Sequence, residues 1–189
     1  SDTGNNRIQT LKINPDGTLI SLYSFGKKGE GLGEFESSGF LRIKGEYLFI
    51  TEIDSKGDIL GPQGLKVVDN RIRVLKINPD GTLISKFIFG RKGKRLGQFN
   101  TISSIKISGD YFFIAEFNLL EQLGKEPGNH RIQILRINPN GILSPILIFG
   151  KKGKNLGEFD MPIALAIKDN YLYVADSGNS RIQVLEIKY

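Results

Sequence analysis

The chain has 189 residues, 39% of them hydrophobic and 24% charged, with a net charge of +6 and no cysteine. That length and apolar content can bury a core as one domain, and the lack of cysteine excludes a disulfide framework and thiolate metal sites. The basic excess favours polyanions and anionic surfaces without naming one, and no apolar run approaches the roughly 18 residues of a membrane span. No secretory signal pattern is legible, and the compartment is left unassigned.

One seven-residue pattern, Arg-Ile-x-x-Leu-x-Ile, occupies residues 7–13, 71–77, 131–137 and 181–187. Self-similarity at such a period is the signature of a repeat architecture. Taken in order, each full repeat offers four strand-like segments. The first is short and apolar, at residues 40–43, 105–107 and 163–167. A polar turn leads to an aromatic and β-branched second segment, at residues 47–50, 111–114 and 171–174. The third is the Arg-Ile pattern, which alternates with period two as a half-buried strand does. Asn-Pro-(Asp/Asn)-Gly follows at residues 14–17, 78–81 and 138–141. Proline presets φ and glycine supplies a positive φ, so this tetrapeptide predicts a hairpin turn. The fourth segment ends in Phe25, Phe89 or Phe149, which the pattern places in the core.

A Gly/Lys loop joins successive units, at residues 26–35, 90–99 and 150–159. No helical period of useful length is present. Four short strands repeated in order predict an all-β chain of propeller blades, in preference to a sandwich or barrel. The expected division is a partial blade over 1–35, blades over 36–98 and 99–158, and a partial blade over 159–189. Two units carry insertions before the arginine, at residues 55–69 and 119–128.

Residues 171–184, Tyr-Leu-Tyr-Val-Ala-Asp-Ser-Gly-Asn-Ser-Arg-Ile-Gln-Val, together with Gly157-Glu158-Phe159-Asp160-Met161-Pro162, resemble the NHL repeat. The resemblance covers the whole chain, with drift at Thr51-Glu52 and Ala115-Glu116 in place of Ala-Asp. It implies a β-propeller, typically of six blades. The absence of tryptophan speaks against WD40 and Tyr-Trp-Thr-Asp propellers. About three and a quarter blades are fewer than the four to eight of a closed ring. The expectation is an incomplete ring: a piece of a longer chain, or copies that associate, in preference to an open monomer with bare edges.

An acid precedes each repeat arginine, giving Asp2 with Arg7, Glu52 with Arg71, Glu116 with Arg131 and Asp176 with Arg181. Catalysis does not need a carboxylate in every blade, so each pair is read as a structural brace of the loop between strands two and three. The inter-blade loops carry Lys27, Lys28, Arg91, Lys92, Lys94, Arg95, Lys151, Lys152 and Lys154, a candidate basic binding surface. Such residues bind phosphate backbones by counterion release, and some NHL propellers bind RNA on a basic face. No aromatic platform interleaves with them.

His130 is the single histidine, and it stands at a turn position before a repeat arginine. Amidating lyases, which also resemble NHL propellers, use several histidines around a metal, and a zinc site takes three or more protein ligands. No phosphate-binding Gly loop or Gly-x-Ser-x-Gly elbow is present. The reading is therefore a non-catalytic scaffold with no cofactor or metal. It binds a protein partner or further copies of itself through the loop face, its specificity set by the basic loops and the two insertions. The alternatives are RNA or polyanion binding, and part of a six-bladed hydrolase or lyase whose active site is not in this chain.

Overall fold

The computed structural model describes residues 1–53, 70–118, 121 and 128–188. The two insertions lie outside the described residues, Glu121 and Gly128 excepted. The chain forms two compact units, Ser1–Phe89 and Gly90–Tyr189.

In the first unit, β1 (Ile8–Ile13) pairs with β2 (Leu19–Phe25). The Asn-Pro-Asp-Gly turn between them closes by two 2.9 Å backbone bonds, Gly17 N–H to the Asn14 carbonyl and Asn14 N–H to the Thr18 carbonyl. Gly17 takes φ 83°, a conformation that costs a β-carbon. Asp16 accepts from the Thr18 hydroxyl and N–H, and these bonds hold its carboxyl below the usual range. A four-stranded antiparallel sheet follows, with β5 (Ser38–Lys44), β6 (Tyr47–Ile53), β7 (Asn70–Ile77) and β8 (Leu83–Phe89) side by side in chain order.

The second unit repeats that sheet as β9 (Thr101–Ser108), β10 (Tyr111–Phe117), β11 (Arg131–Ile137) and β12 (Leu143–Phe149). A three-stranded sheet comes next, β13 (Pro162–Lys168), β14 (Tyr171–Asp176) and β15 (Arg181–Glu186). Wherever a third strand meets a fourth, the register slips after the same repeat position, at Thr10/Leu11, Val74/Leu75 and Ile134/Leu135. A bulge of this kind raises the local twist. The chain is all-β and blade-built, and among the described residues no sheet closes on itself.

The Gly/Lys loops are more ordered than expected. In the first, β3 (Lys27–Lys28) and β4 (Glu34–Phe35) form a short parallel pair, and Lys92 with Phe99 and Lys152 with Phe159 make the same bridge. The bridge folds each loop back on itself and delivers its phenylalanine inward. Phe35, Phe99 and Phe159 are fully buried. The expected core residues lie further out: Phe25 and Phe89 are half-buried, and Phe149 is 37% exposed. Phe25 and Phe149 instead meet the loop rings of Phe35 and Phe159 edge to face, at 6.3 and 6.1 Å between centroids.

Each core lies between blades. In the first unit Ile8 of β1 packs with Phe35 and with Leu48, Ile50, Leu75 and Leu83 of the next sheet. In the second, Phe113, Ala115 and Ile132 of one blade pack with Phe159, Leu165, Leu172 and Val174 of the next. The inner strands are tied as well: the Ser103 hydroxyl donates to the Pro162 carbonyl at 2.5 Å, and Leu165 N–H donates to the Ser104 hydroxyl at 3.1 Å.

Candidate interaction site

The loop-bearing end of each blade is organised by one buried carboxylate. In the third blade Glu116, with no solvent exposure, accepts from Arg131 Nε and Gln133 Nε2, both at 2.6 Å. It also accepts from Asn129 at 3.0 Å and from Asn100 N–H at 2.7 Å. In the fourth, Asp176 accepts from Arg181 at 2.7 Å, Gln183 at 3.0 Å, Asn179 at 3.0 Å and Asp160 N–H at 2.6 Å. Burial pushes the Asp176 carboxyl up, but these donors outweigh it and hold the carboxyl below its usual range.

The donors left on those side chains bind the Gly/Lys loop. Arg131 gives its Nη atoms to the carbonyls of Lys94, Arg95 and Gln98, and Arg181 gives its own to Lys154, Asn155 and Glu158. Gln133 and Gln183 each accept a glycine N–H, from Gly97 at 2.8 Å and Gly157 at 3.0 Å. Asn129 and Asn179 donate to the carbonyls of Gly93 and Gly153. A planar guanidinium suits this task because its fixed fork holds several acceptors at once.

The second blade solves the same problem with a substitution. Arg73 stands where the other repeats carry glutamine. Glu52 holds Arg71 at 2.5 Å and Arg73 at 2.6 Å and accepts Glu36 N–H at 2.7 Å. The fully buried Arg73 reaches the carbonyls of Gly31 and Glu30, and its guanidinium lies 5.4 Å from the Phe35 ring centroid. Arginine has no acceptor, so Gly33 N–H turns to the Ser85 hydroxyl at 3.1 Å.

The basic side chains fall into two groups. Three are matched by acids: Lys27 by Glu34 at 3.2 Å, Lys151 by Glu158 at 3.4 Å and Lys152 by Glu121 at 2.5 Å. Glu34 and Glu158 are also held below the usual range, first by the loop N–H groups of Gly31 and Asn155. Lys28, Lys92, Lys94, Arg95 and Lys154 make no ion pair among the described residues. Arg91 is exposed, and its carbonyl accepts Phe99 N–H within the loop bridge. Each loop also exposes a leucine beside these cations: Leu32 at 61%, Leu96 at 38% and Leu156 at 90%. The repeat marks these leucines, yet an alternating pattern alone gives an apolar residue no reason to face water.

His130 is not a plain turn residue. It is 3% exposed, its Nδ1 accepts Met161 N–H at 2.9 Å, and its Nε2 lies 2.8 Å from Glu121. Neutral imidazole protonated on Nε2 satisfies both contacts. Lys152, first, and then the Gly128 N–H and His130 push the Glu121 carboxyl down to about 2. The chain Lys152–Glu121–His130–Met161 thus fastens the described end of the second insertion to the next blade. Among the described residues no group of three or more His, Cys, Asp or Glu has metal-binding geometry.

Antiparallel blades that pack against each other within each unit and are braced at one end define a propeller-type repeat protein. Residues 159–185, which run from the buried loop phenylalanine to the third strand, match the NHL repeat family model, and residues 101–120 match the LVIVD repeat model. Both are propeller-type repeats, and repeats of this kind commonly serve protein interaction. A search of curated proteins returned no match. Among the described residues no helix is long and apolar enough to cross a membrane.

Proposed function

We propose that the chain is a non-catalytic scaffold that binds a protein partner through its Gly/Lys loops. The observation that carries this reading is the exposed leucine held on a clasped loop beside unpaired cations: Leu96 with Lys94 and Arg95, Leu156 with Lys154. A rigid apolar anchor loses little entropy on binding, and a cationic rim steers an acidic partner toward it. Loops on a rigid scaffold are where binding residues concentrate. The fitting partner is an acidic, amphipathic polypeptide surface.

Panning a displayed random-peptide library on the immobilised chain tests this. The expected ligands are acidic peptides with apolar anchors, weakened at least about tenfold by Leu96→Ser or Leu156→Ser. RNA binding is the second reading, favoured by the unpaired Lys94, Arg95 and Lys154. Its signature is poly(U) affinity that falls steeply with salt and is lost in Lys94→Glu/Arg95→Glu. That result, with no leucine-dependent peptide, overturns the protein-binding reading.

A further inference from the structure

The three Gly/Lys loops share a backbone frame but differ in the charge they hold inside it. In the first and third, a glutamate folds back over the loop. Glu34 accepts the Gly31 N–H at 3.0 Å and pairs with Lys27 at 3.2 Å. Glu158 accepts the Asn155 N–H at 3.1 Å and pairs with Lys151 at 3.4 Å. Those N–H bonds are the chief reason that both carboxyls stay ionised to lower pH than usual. Each of these loops thus offers one N–H and one cation to an anionic oxygen, and the chain supplies that oxygen itself.

The middle loop keeps the frame and lacks the anion. Gln98 stands where Glu34 and Glu158 stand. Its Oε1 lies over Gly93 as the carboxylate oxygens lie over Gly29 and Gly153. It accepts the matching Arg95 N–H at 3.3 Å, a long bond to a neutral acceptor and so a weak one. The cations are also more numerous. Arg91 takes the position of Lys27 and Lys151, Lys94 and Arg95 follow Lys92, and residues 90–99 hold no acid. The first loop, by contrast, sets Glu30 and Glu34 against Lys27 and Lys28. Behind the middle loop the Arg131 guanidinium spans the carbonyls of Lys94, Arg95 and Gln98, which fixes its backbone.

We infer that the 90–99 loop binds a phosphate monoester group of its ligand at the place that the sister loops fill with their own carboxylate. The Arg95 N–H and the cation at position 91 are the groups matched to that place, and Lys94 and the Arg95 side chain add charge beside it. A carboxylate would cancel one positive charge here. A phosphate monoester cancels about two and brings three oxygens to share among the donors, and the arginine fork suits it. The inference rests on the loop end being a binding surface and names a group that the ligand carries. It makes no use of Leu96.

The probe is inorganic phosphate, titrated into the intact chain at constant ionic strength while the backbone N–H resonances of Gly31, Arg95 and Asn155 are followed by NMR. The Arg95 resonance is expected to shift and to saturate at about millimolar phosphate, with Gly31 and Asn155 unmoved. Gln98→Glu restores the carboxylate of the sister loops and is expected to abolish the Arg95 shift, with the fold checked by circular dichroism. Acetate and dimethyl phosphate are each expected to bind at least about fivefold more weakly than phosphate. Equal shifts at all three N–H groups overturn the inference, since they mark diffuse attraction to a basic surface. Unchanged phosphate binding in Gln98→Glu overturns it as well. Acetate that binds as tightly assigns the place to a carboxylate, and dimethyl phosphate that binds as tightly assigns it to a diester such as a nucleic-acid backbone; either result overturns the monoester. Phosphate binding without any leucine-dependent peptide supports this site and overturns the protein-binding reading, and the reverse pair of results overturns this site alone.

Discussion

At the scale of single residues, the buried acids are the hubs of the brace. Glu116 meets four donors with no solvent contact, and a buried charge stripped of its partner is strongly destabilising. Glu116→Gln leaves the Arg131 guanidinium without its counter-charge, and urea unfolding is expected to show a loss of about 3 kcal/mol. Asp176 ties this brace to pH. Its folded-state pKa is depressed, so its stabilising contribution is complete above the unfolded value of about 4. That contribution is lost as pH falls through the lower folded value. Between about pH 5 and 2 the wild-type chain is expected to lose stability more steeply than Asp176→Asn, measured by denaturant midpoints at each pH.

At the scale of elements, the loop and the blade that follows it act as one piece. Gly150 takes φ +86°, and a β-carbon there would lie 2.4 Å from the Phe159 ring. Gly109, at φ +54°, has open space around its added β-carbon. Both positions penalise an L-residue by about 1–2 kcal/mol, but only Gly150 adds a clash with a buried ring, worth about another 1–3 kcal/mol. Thermal unfolding is expected to rank Gly150→Ala well below Gly109→Ala. Equal melting temperatures would separate the loop from the core. Much of the strand and turn layout was legible because it is local: Asn-Pro-Asp-Gly fixes its own dihedrals, and Tyr-Leu-Tyr-Val alternates on its own account. The parallel bridge inside each loop was not legible, because residues such as Lys92 and Phe99 pair through backbone groups that every residue possesses.

At the scale of the whole molecule, the three-stranded sheet leaves one face unmatched. Ile182 is 62% exposed and Val184 54%, whereas the equivalent Ile132 on β11 is buried against the next blade. β15 is hydrogen-bonded only to β14 among the described residues. Exposed apolar side chains such as these invite association. Light scattering across a concentration series is expected to show a rising mass that Ile182→Lys suppresses. A mass that stays monomeric at every concentration would show that the face is tolerated in water.

The sequence by itself determined the all-β class, the repeat and its strands and turns, because period-two patterning and turn chemistry act within a few residues. It also marked the acid and arginine positions by repetition. Only the tertiary structure decided what the arginines grip, since their acceptors are main-chain carbonyls 23 to 37 residues away that carry no side-chain signature. It alone decided that Arg73 takes over a grip made elsewhere by the arginine two residues earlier, and that His130 is buried between an acid and a backbone amide. It also turned Leu156 outward and Phe159 inward. Those outcomes depend on which blade packs against which loop, a long-range choice made by burial rather than by local propensity.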